Sequence, residues 1–161
     1  MKTLFLLRHA KSDRTDQTIG DFDRPLNARG NRTVATLASF FVNEKIEPDL
    51  VISSSAVRAR ETIEPILVSA GLHSEVRFDE RVYEAPPERL LEVISSVESQ
   101  TRSVLIGGHN PGLEGLLTYL TGQTEAMSTG ALAKIRFPDD TNWNSLRARA
   151  GTLEWLHRPE A

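Results

Sequence analysis

Short apolar runs alternate along the chain with longer segments in which apolar side chains recur every three or four residues. The runs are typical of buried strands, and the periodic segments are typical of amphipathic helices. Strands are predicted at 3–7, 49–53, 75–79, 103–108 and 132–137, and a less regular one at 152–156. The polar stretch 138–145 is predicted to be a turn between the last two strands.

Four segments carry a helical stripe of apolar residues. Asn27 is predicted to cap the first helix and Gly71 to end the second. Pro65 is expected to kink or restart the second helix, because an interior proline costs about 3 kcal/mol. The stripes are Val34, Leu37, Ala38 and Phe41; Ala59, Ile63, Ile66, Leu67 and Ala70; Leu90, Leu91, Ile94 and Val97; and Leu113, Leu116, Leu117 and Leu120.

This alternation of strands and helices predicts an α/β fold, a three-layer α/β/α sandwich around a mostly parallel central sheet. No helix separates the last two strands, so one edge of the sheet is expected to be antiparallel. The whole chain, residues 1–161, is predicted to form one domain.

Composition narrows the class of protein. The net charge of -3 argues against a nucleic-acid-binding protein, and the lack of cysteine excludes disulfides, thiolate catalysis and cysteine zinc sites. No stretch approaches the roughly 20 apolar residues of a membrane span, and the first apolar run is too short for a signal peptide. We therefore expect a cytoplasmic globular protein with no membrane partner.

Basic side chains follow three of the predicted strands. Arg8 and His9 follow the first, Arg58 and Arg60 the second, and His109 the fourth. Because parallel strands end at the same edge of a sheet, and ligands bind there, these side chains are expected to share one pocket. Taken singly, each motif is more typical of a solvated strand end or a turn.

Such a pocket suits a phosphoryl group. Arginine forks bind phosphate oxygens bidentately, and helix N-termini add partial positive charge. Neighbouring arginines should lower the pKa of a histidine and keep the imidazole neutral and nucleophilic. The set predicts attack of a histidine on phosphorus, a phosphohistidine intermediate, and its release by water.

The segments "LLRHAKS", "SSSAVRARET" and "GGHNPGLEGLL" together resemble the histidine phosphatase superfamily, the fold of cofactor-dependent phosphoglycerate mutases and acid phosphatases. With "DFDRPLNARG", they look closest to its small branch, the SixA-type phosphohistidine phosphatases. The resemblance spans residues from about 4 to 120. It implies a phosphoglycerate mutase-like fold.

The resemblance also assigns roles. His9 matches the nucleophile, Arg8 and Arg58 match the arginines that grip the phosphate, and His109 matches the histidine that hydrogen-bonds the transferred group. Arg60 falls outside the phosphate-binding position and is interpreted as a surface or rim charge.

The sequence does not identify the general acid that would protonate the leaving group. Glu84 is the nearest equivalent of the carboxylate that larger members use, although it could equally be a solvated loop residue. A phosphohistidine substrate would need little acid, because an imidazole leaves more easily than an alkoxide. Asp23, Arg24 and Arg29 could line the rim, but a turn and helix cap is favoured for that segment.

The resulting prediction is a metal-independent phosphatase with no cofactor. Its partner is a protein carrying phosphohistidine or a small phosphorylated metabolite. The alternatives are a broad-specificity phosphomonoesterase, a phosphate-binding module without turnover, a metallohydrolase and a mutase. No carboxylate lies at metal-ligand spacing from either site histidine, and the chain is short for the enclosed site that a mutase needs. His73 and His157 are predicted to be surface residues.

Overall fold

A mixed sheet forms the centre of the molecule. The structure is a computed structural model that describes residues 1–159. Its strands are β1 (Lys2–Arg8), β2 (Leu50–Ser53), β3 (Glu75–Phe78), β4 (Ser103–Gly108), β5 (Leu132–Phe137) and β6 (Thr152–His157). They lie in the order β3-β2-β4-β1-β5-β6. β3, β2, β4 and β1 are parallel, whereas β5 and β6 are antiparallel, which confirms the predicted sheet.

Helices cover both faces of this sheet. They are α1 (Ala28–Asn43), α2 (Val57–Ser69), α3 (Pro87–Ser95) and α4 (Gly112–Thr121). Leu4 and Leu6 of β1 belong to the core that includes α3 and α4, while Phe5 and Leu7 belong to the core that includes α1 and α2. Successive side chains of a strand point to opposite faces, so this division confirms the three layers. None of the described helices is long and apolar enough to cross a membrane.

The register of the parallel strands brings their carboxyl ends together. Arg8 at the end of β1 lies opposite Gly108 at the end of β4, and Ser53 at the end of β2 lies opposite Gly107. The three motifs therefore leave the sheet side by side, as the sequence predicts.

Two local expectations are wrong. The α2 helix does not restart at Pro65 but runs through it, because Pro65 lies on its exposed face and the carbonyl left without an N–H partner can bind water; the alternative of a kink stays a prediction. The segment 138–145 is not simply a polar turn. Its Trp143 is buried, packs against Phe137 and donates a hydrogen bond of 2.8 Å from its indole nitrogen to the Thr101 carbonyl.

The apolar stripe of α3 also differs slightly from its prediction. Val93 is buried together with Leu90 and Ile94, whereas Leu91 is only partly buried. The buried face of the helix therefore includes Val93, three residues after Leu90, rather than the adjacent Leu91, as the helical repeat requires.

Candidate active site

Four of the five predicted site residues meet beyond the ends of β1, β2 and β4. The rings of His9 and His109 lie 5.2 Å apart between centroids. Both histidines and Arg58 are buried, and Arg8 is partly buried. The positive charges of Arg8 and Arg58 both act on the two histidines, as expected for one shared pocket.

Main-chain hydrogen bonds fix the segment that carries the first two residues. The His9 N–H donates to the Gly108 carbonyl at 3.1 Å, and the Gly130 N–H donates to the carbonyls of Arg8 and His9 at 3.1 and 3.0 Å. The Ala10 N–H donates to the Thr62 hydroxyl oxygen at 3.0 Å. The imidazole of His9 is thus held on a rigid strand end rather than on a mobile loop.

The protonated nitrogen of His9 follows from its one hydrogen bond. Nδ1 lies 2.8 Å from the Ala10 carbonyl oxygen, which can only accept. Nδ1 therefore carries the proton, and the lone pair of the neutral ring is on Nε2. Nε2 is the atom available to attack an electrophile.

Burial keeps both histidines neutral. Desolvation lowers the pKa of His9 to about 3; the hydrogen bond to Ala10 opposes this shift, and His109, Arg58 and Arg8 add to it. Desolvation, followed by the charge of Arg58, lowers the pKa of His109 to about 4. Both imidazoles are uncharged at neutral pH, which a nucleophile requires.

These pKa values predict how stability depends on pH. An unfolded histidine titrates near pH 6.5, so between that value and the folded pKa the unfolded chain binds more protons than the folded one. Lowering the pH from 7 to 5 is therefore expected to reduce the free energy of unfolding by about 2 kcal/mol for each of the two histidines. Urea denaturation at the two pH values measures this loss.

The matched control is His109→Gln, which cannot take up a proton at that position. Its loss of stability between pH 7 and pH 5 should be smaller than that of the wild-type chain by about 2 kcal/mol. Equal losses in the two proteins would mean that His109 titrates normally in the folded state.

His109 presents a donor to the pocket. Its Nε2 lies 2.8 Å from Ser54 Oγ, and that oxygen also accepts the Ala56 N–H at 3.1 Å. When the Ser54 hydroxyl donates its hydrogen to Nε2, the ring proton of His109 is on Nδ1. Nδ1 is buried and has no hydrogen-bond partner among residues 1–159.

The two arginines are held by their outer nitrogens. Arg8 Nη1 donates to the Met127 carbonyl at 3.0 Å. Arg58 Nη1 donates to the Asp21 carbonyl at 2.6 Å, and its Nη2 to the Asp21 carboxylate at 3.1 Å. The Nε atom of each arginine is buried with no partner in the described part of the chain. With His109 Nδ1, residues of this site carry three buried nitrogens without a partner in the described part of the chain. Leaving such groups unpaired costs about 1–3 kcal/mol each, and an oxyanion would satisfy them.

Asp21 is a site residue that the sequence reasoning missed. Its carboxylate accepts hydrogen bonds from Tyr83 Oη, from Arg24 Nη2 at 2.6 Å and from Arg58. The hydrogen bond from Tyr83 and the one from Arg24 hold the pKa of Asp21 well below its ordinary value. Asp21 is therefore ionised throughout the physiological range and ties three segments of the chain to the pocket.

Arg24 departs from the favoured interpretation of its segment as a turn and cap. The side chain is buried and donates to Ser12 Oγ as well as to Asp21. Asn27 does cap α1, since its Oδ1 accepts the Gly30 N–H at 2.8 Å. Asp23 and Arg29 are exposed. The segment is thus both a helix cap and part of the pocket wall.

A second missed group supports Arg8. Glu114 Oε2 accepts the Met127 N–H at 2.7 Å and the Asn110 amide at 2.9 Å. Asn110 also donates to the Met127 carbonyl, the oxygen that accepts from Arg8. Glycines permit close backbone approach at the starts of two helices: a Cβ on Gly112 of α4 would collide with the Ala85 carbonyl, and one on Gly30 of α1 would collide with the Lys11 carbonyl.

The remaining predicted residues lie at the rim or outside the pocket. Glu84 is exposed with a left-handed backbone (φ 51°), next to Tyr83. Arg60 is partly exposed, bonds the Ser55 carbonyl and stacks on Phe78 at 4.1 Å, in keeping with a rim charge. His73 is exposed as predicted, but His157 is not a simple surface residue.

His157 is partly buried and stacks on the Phe40 ring at 3.9 Å between centroids. This stacking explains why the prediction of an exposed side chain is wrong.

Within residues 1–159, no group of three or more His, Cys, Asp or Glu side chains could hold a metal ion.

Comparison with known proteins places this geometry in a family. The sequence profile of the "Histidine phosphatase superfamily (branch 1)" matches residues 4–87, just over half of the chain, including His9 and Arg58. The chain belongs to the histidine phosphatase superfamily. An uncharacterized protein of Mycobacterium tuberculosis is 35% identical over 95% of this chain and 99% of its own length.

Solved histidine phosphatases share the whole fold. A protein of Agrobacterium tumefaciens assigned as the phosphohistidine phosphatase SixA is 25% identical, covers 98% of both chains and has a TM-score of 0.85. A mycobacterial glucosyl-3-phosphoglycerate phosphatase is 18% identical, covers 95% of this chain and 97% of its own, and has a TM-score of 0.67. The expected phosphoglycerate mutase-like fold is confirmed, and the chain is a phosphatase of this superfamily.

Proposed function

We propose that this histidine phosphatase removes the phosphoryl group from phosphohistidine on a protein, through a covalent intermediate on His9 and without a metal or other cofactor. One observation carries the proposal. The neutral Nε2 of His9 shares a buried pocket with three unpaired donors, Arg8 Nε, Arg58 Nε and His109 Nδ1. This combination suits a nucleophile and an oxyanion cradle for one phosphoryl group.

In the first step, the three donors bind the non-bridging oxygens of the substrate phosphoryl group. His9 Nε2 attacks phosphorus, and the bond from phosphorus to the leaving atom breaks as the phosphorus–nitrogen bond forms. The bonding electron pair stays on the leaving group, which takes up a proton from solvent. Fixed donors favour this step because they stabilise the charge on the transferred group without reorganising.

In the second step, water attacks the phosphoryl group on His9. The phosphorus–nitrogen bond breaks, its electron pair returns to Nε2, and the protons of the water are shared between inorganic phosphate and solvent. The hydrogen bond from Nδ1 to the Ala10 carbonyl holds the ring in place during both displacements.

Proton supply favours phosphohistidine over an alcohol ester. Asp21, the carboxylate in contact with Arg58, is kept ionised by its hydrogen bonds and cannot donate a proton. Burial and Asp21 raise the pKa of Tyr83, whose hydroxyl already donates to that carboxylate. An imidazole leaving group needs less help from an acid than an alkoxide does. Glu84, exposed at the rim, stays a prediction as general acid.

Likeness to solved structures favours the same substrate class. The two neighbours at TM-score 0.85 are both assigned as SixA phosphohistidine phosphatases, whereas the phosphatase for glucosyl-3-phosphoglycerate is at 0.67. A small phosphorylated metabolite is the second candidate, which the latter neighbour supports.

A substrate panel tests the proposal. Phosphate release is measured from a protein phosphorylated on histidine and from sugar, nucleotide and aryl phosphates, with and without a strong chelator. We expect kcat/KM for the phosphohistidine protein to exceed that for the alkyl esters by at least about tenfold, the equivalent of 1.4 kcal/mol, and the chelator to have no effect. A preference for one sugar phosphate would favour the metabolite alternative, and loss of activity with chelator would overturn the metal-independent mechanism.

A further inference from the structure

Two aromatic side chains, an exposed Phe22 and a partly buried Tyr83, lie beside the phosphate pocket. Phe22 is 38% exposed, and its ring lies 5.1 Å from that of Tyr83 in an edge-to-face arrangement. Tyr83 in turn lies edge-on to His109 at 5.4 Å, and the Arg58 guanidinium is 5.8 Å from its ring centroid. We call Phe22 and Tyr83 the aromatic lip. It begins at the pocket and extends into solvent.

The lip is fixed in this position by polar contacts. Phe22 belongs to the single-turn 3₁₀ helix Asp21–Asp23, and Asp21 is bonded to Arg24, Arg58 and the Tyr83 hydroxyl. The same carboxylate therefore anchors both members of the lip. A fixed apolar ring beside a polar pocket is suited to contact an apolar part of a ligand.

The direction of the reaction indicates what this surface contacts. His9 is buried, with 7% of its surface exposed, whereas Phe22 is 38% exposed. In an in-line displacement the leaving group departs on the side opposite the nucleophile. A leaving group that departs from buried His9 towards solvent can therefore reach the exposed ring of Phe22.

We propose that the aromatic lip binds the leaving group and selects flat, apolar rings, the imidazole of a phosphohistidine in the first place, over alkyl and sugar alcohols. This inference rests on the proposed function. Offset or edge-to-face packing of a ring on Phe22 adds stabilisation, whereas a hydroxyl-rich sugar would lose water against an apolar surface. Phe22 is thus a specificity-determining residue, while the phosphate contacts are made elsewhere.

The test compares Phe22→Ala with the wild-type enzyme on a phosphohistidine peptide, 2-naphthyl phosphate and glucose 6-phosphate. For each substrate, kcat/KM of the variant is divided by kcat/KM of the wild type, so that differences in leaving-group chemistry between substrates cancel. We expect kcat/KM to fall about tenfold for the two ring substrates, as for a lost aromatic contact, and less than about twofold for the sugar phosphate. Tyr119→Ala, which removes a similarly exposed aromatic side chain on α4 (39% exposed), should alter none of the three.

Inhibition by inorganic phosphate separates a binding role from a merely structural one. Its inhibition constant should stay within about twofold of the wild-type value in Phe22→Ala, because the arginines are untouched. The proposal would be overturned if Phe22→Ala lowered kcat/KM equally for all three substrates. It would also be overturned if the inhibition constant for phosphate rose as much as kcat/KM for the ring substrates fell. A wild-type enzyme that hydrolyses the esters but not the phosphohistidine peptide would contradict the proposed function, while a ring-selective effect of Phe22→Ala would still support the lip.

Discussion

Replacing His9 by asparagine is expected to lower kcat/KM for phosphate release by about 10⁴-fold or more, because the nucleophile that starts the reaction is removed. Asparagine is shorter than histidine, but its amide nitrogen can take the position of Nδ1 and donate to the Ala10 carbonyl. The loss should therefore lie in kcat rather than in folding. Steady-state kinetics on the phosphohistidine protein measure it.

The control for this variant is phosphate binding. The donors Arg8 Nε, Arg58 Nε and His109 Nδ1 remain in His9→Asn, so titration calorimetry with inorganic phosphate should give a Kd within about tenfold of the wild-type value. Full phosphatase activity in a variant that binds phosphate normally would show that His9 is not the nucleophile.

Replacing Arg58 by lysine is expected to lower kcat/KM by about 10²–10³-fold, the usual effect of removing one fixed oxyanion donor. Lysine keeps the charge but lacks the fork, and so cannot bind Asp21 through two nitrogens while pointing Nε–H at the phosphoryl group. The change should appear in kcat and in phosphate affinity together. Both are measured by kinetics with inorganic phosphate as inhibitor.

Arg60→Lys is the matched control, two residues along the same helix. Arg60 is partly exposed and stacks on Phe78, and no unpaired buried nitrogen of its own points to a phosphate role. We expect less than a twofold change in kcat/KM for Arg60→Lys. Full activity in Arg58→Lys would mean that a positive charge at this position is sufficient without the arginine fork, and equal losses in the two lysine variants would mean that Arg58 has no special role in α2.

The sequence predicted the core of the site because strand periodicity and sheet topology carry that information. Once β1, β2 and β4 are recognised as parallel strands, the residues after each of them must meet at one edge. Arg8, His9, Arg58 and His109 come together for that reason. Apolar periodicity also located the four helices, since each buries one face against the sheet.

The contacts of Asp21 could not be predicted in this way. Its partners Arg58 and Tyr83 are 37 and 62 residues away, and no periodic pattern links a 3₁₀ turn to either of them. In the sequence, Asp21 does not stand out from Asp23 and Arg24, which belong to the same family-like segment. Glu114 could not be predicted either, because its charge reaches Arg8 across 106 positions of the chain and its hydrogen bonds go to Met127 and Asn110.

Local propensity was a weaker guide where exposure decides the outcome. Pro65 lies inside α2 because the helix face that loses a hydrogen bond is exposed to water. Trp143 is buried although its neighbours in sequence are polar, because its ring packs on Phe137 and its indole N–H finds the Thr101 carbonyl. In both cases tertiary packing overrides the local signal.

The central claim is that the phosphoryl group passes through His9. The most direct measurement is a rapid-quench experiment in alkali with a labelled substrate, followed by mass spectrometry to locate the phosphate. The proposed mechanism predicts base-stable, acid-labile phosphate on His9 in the wild-type enzyme during turnover, and none in His9→Asn. Label on another residue, or release of phosphate in a single turnover with no label on the protein, would contradict it.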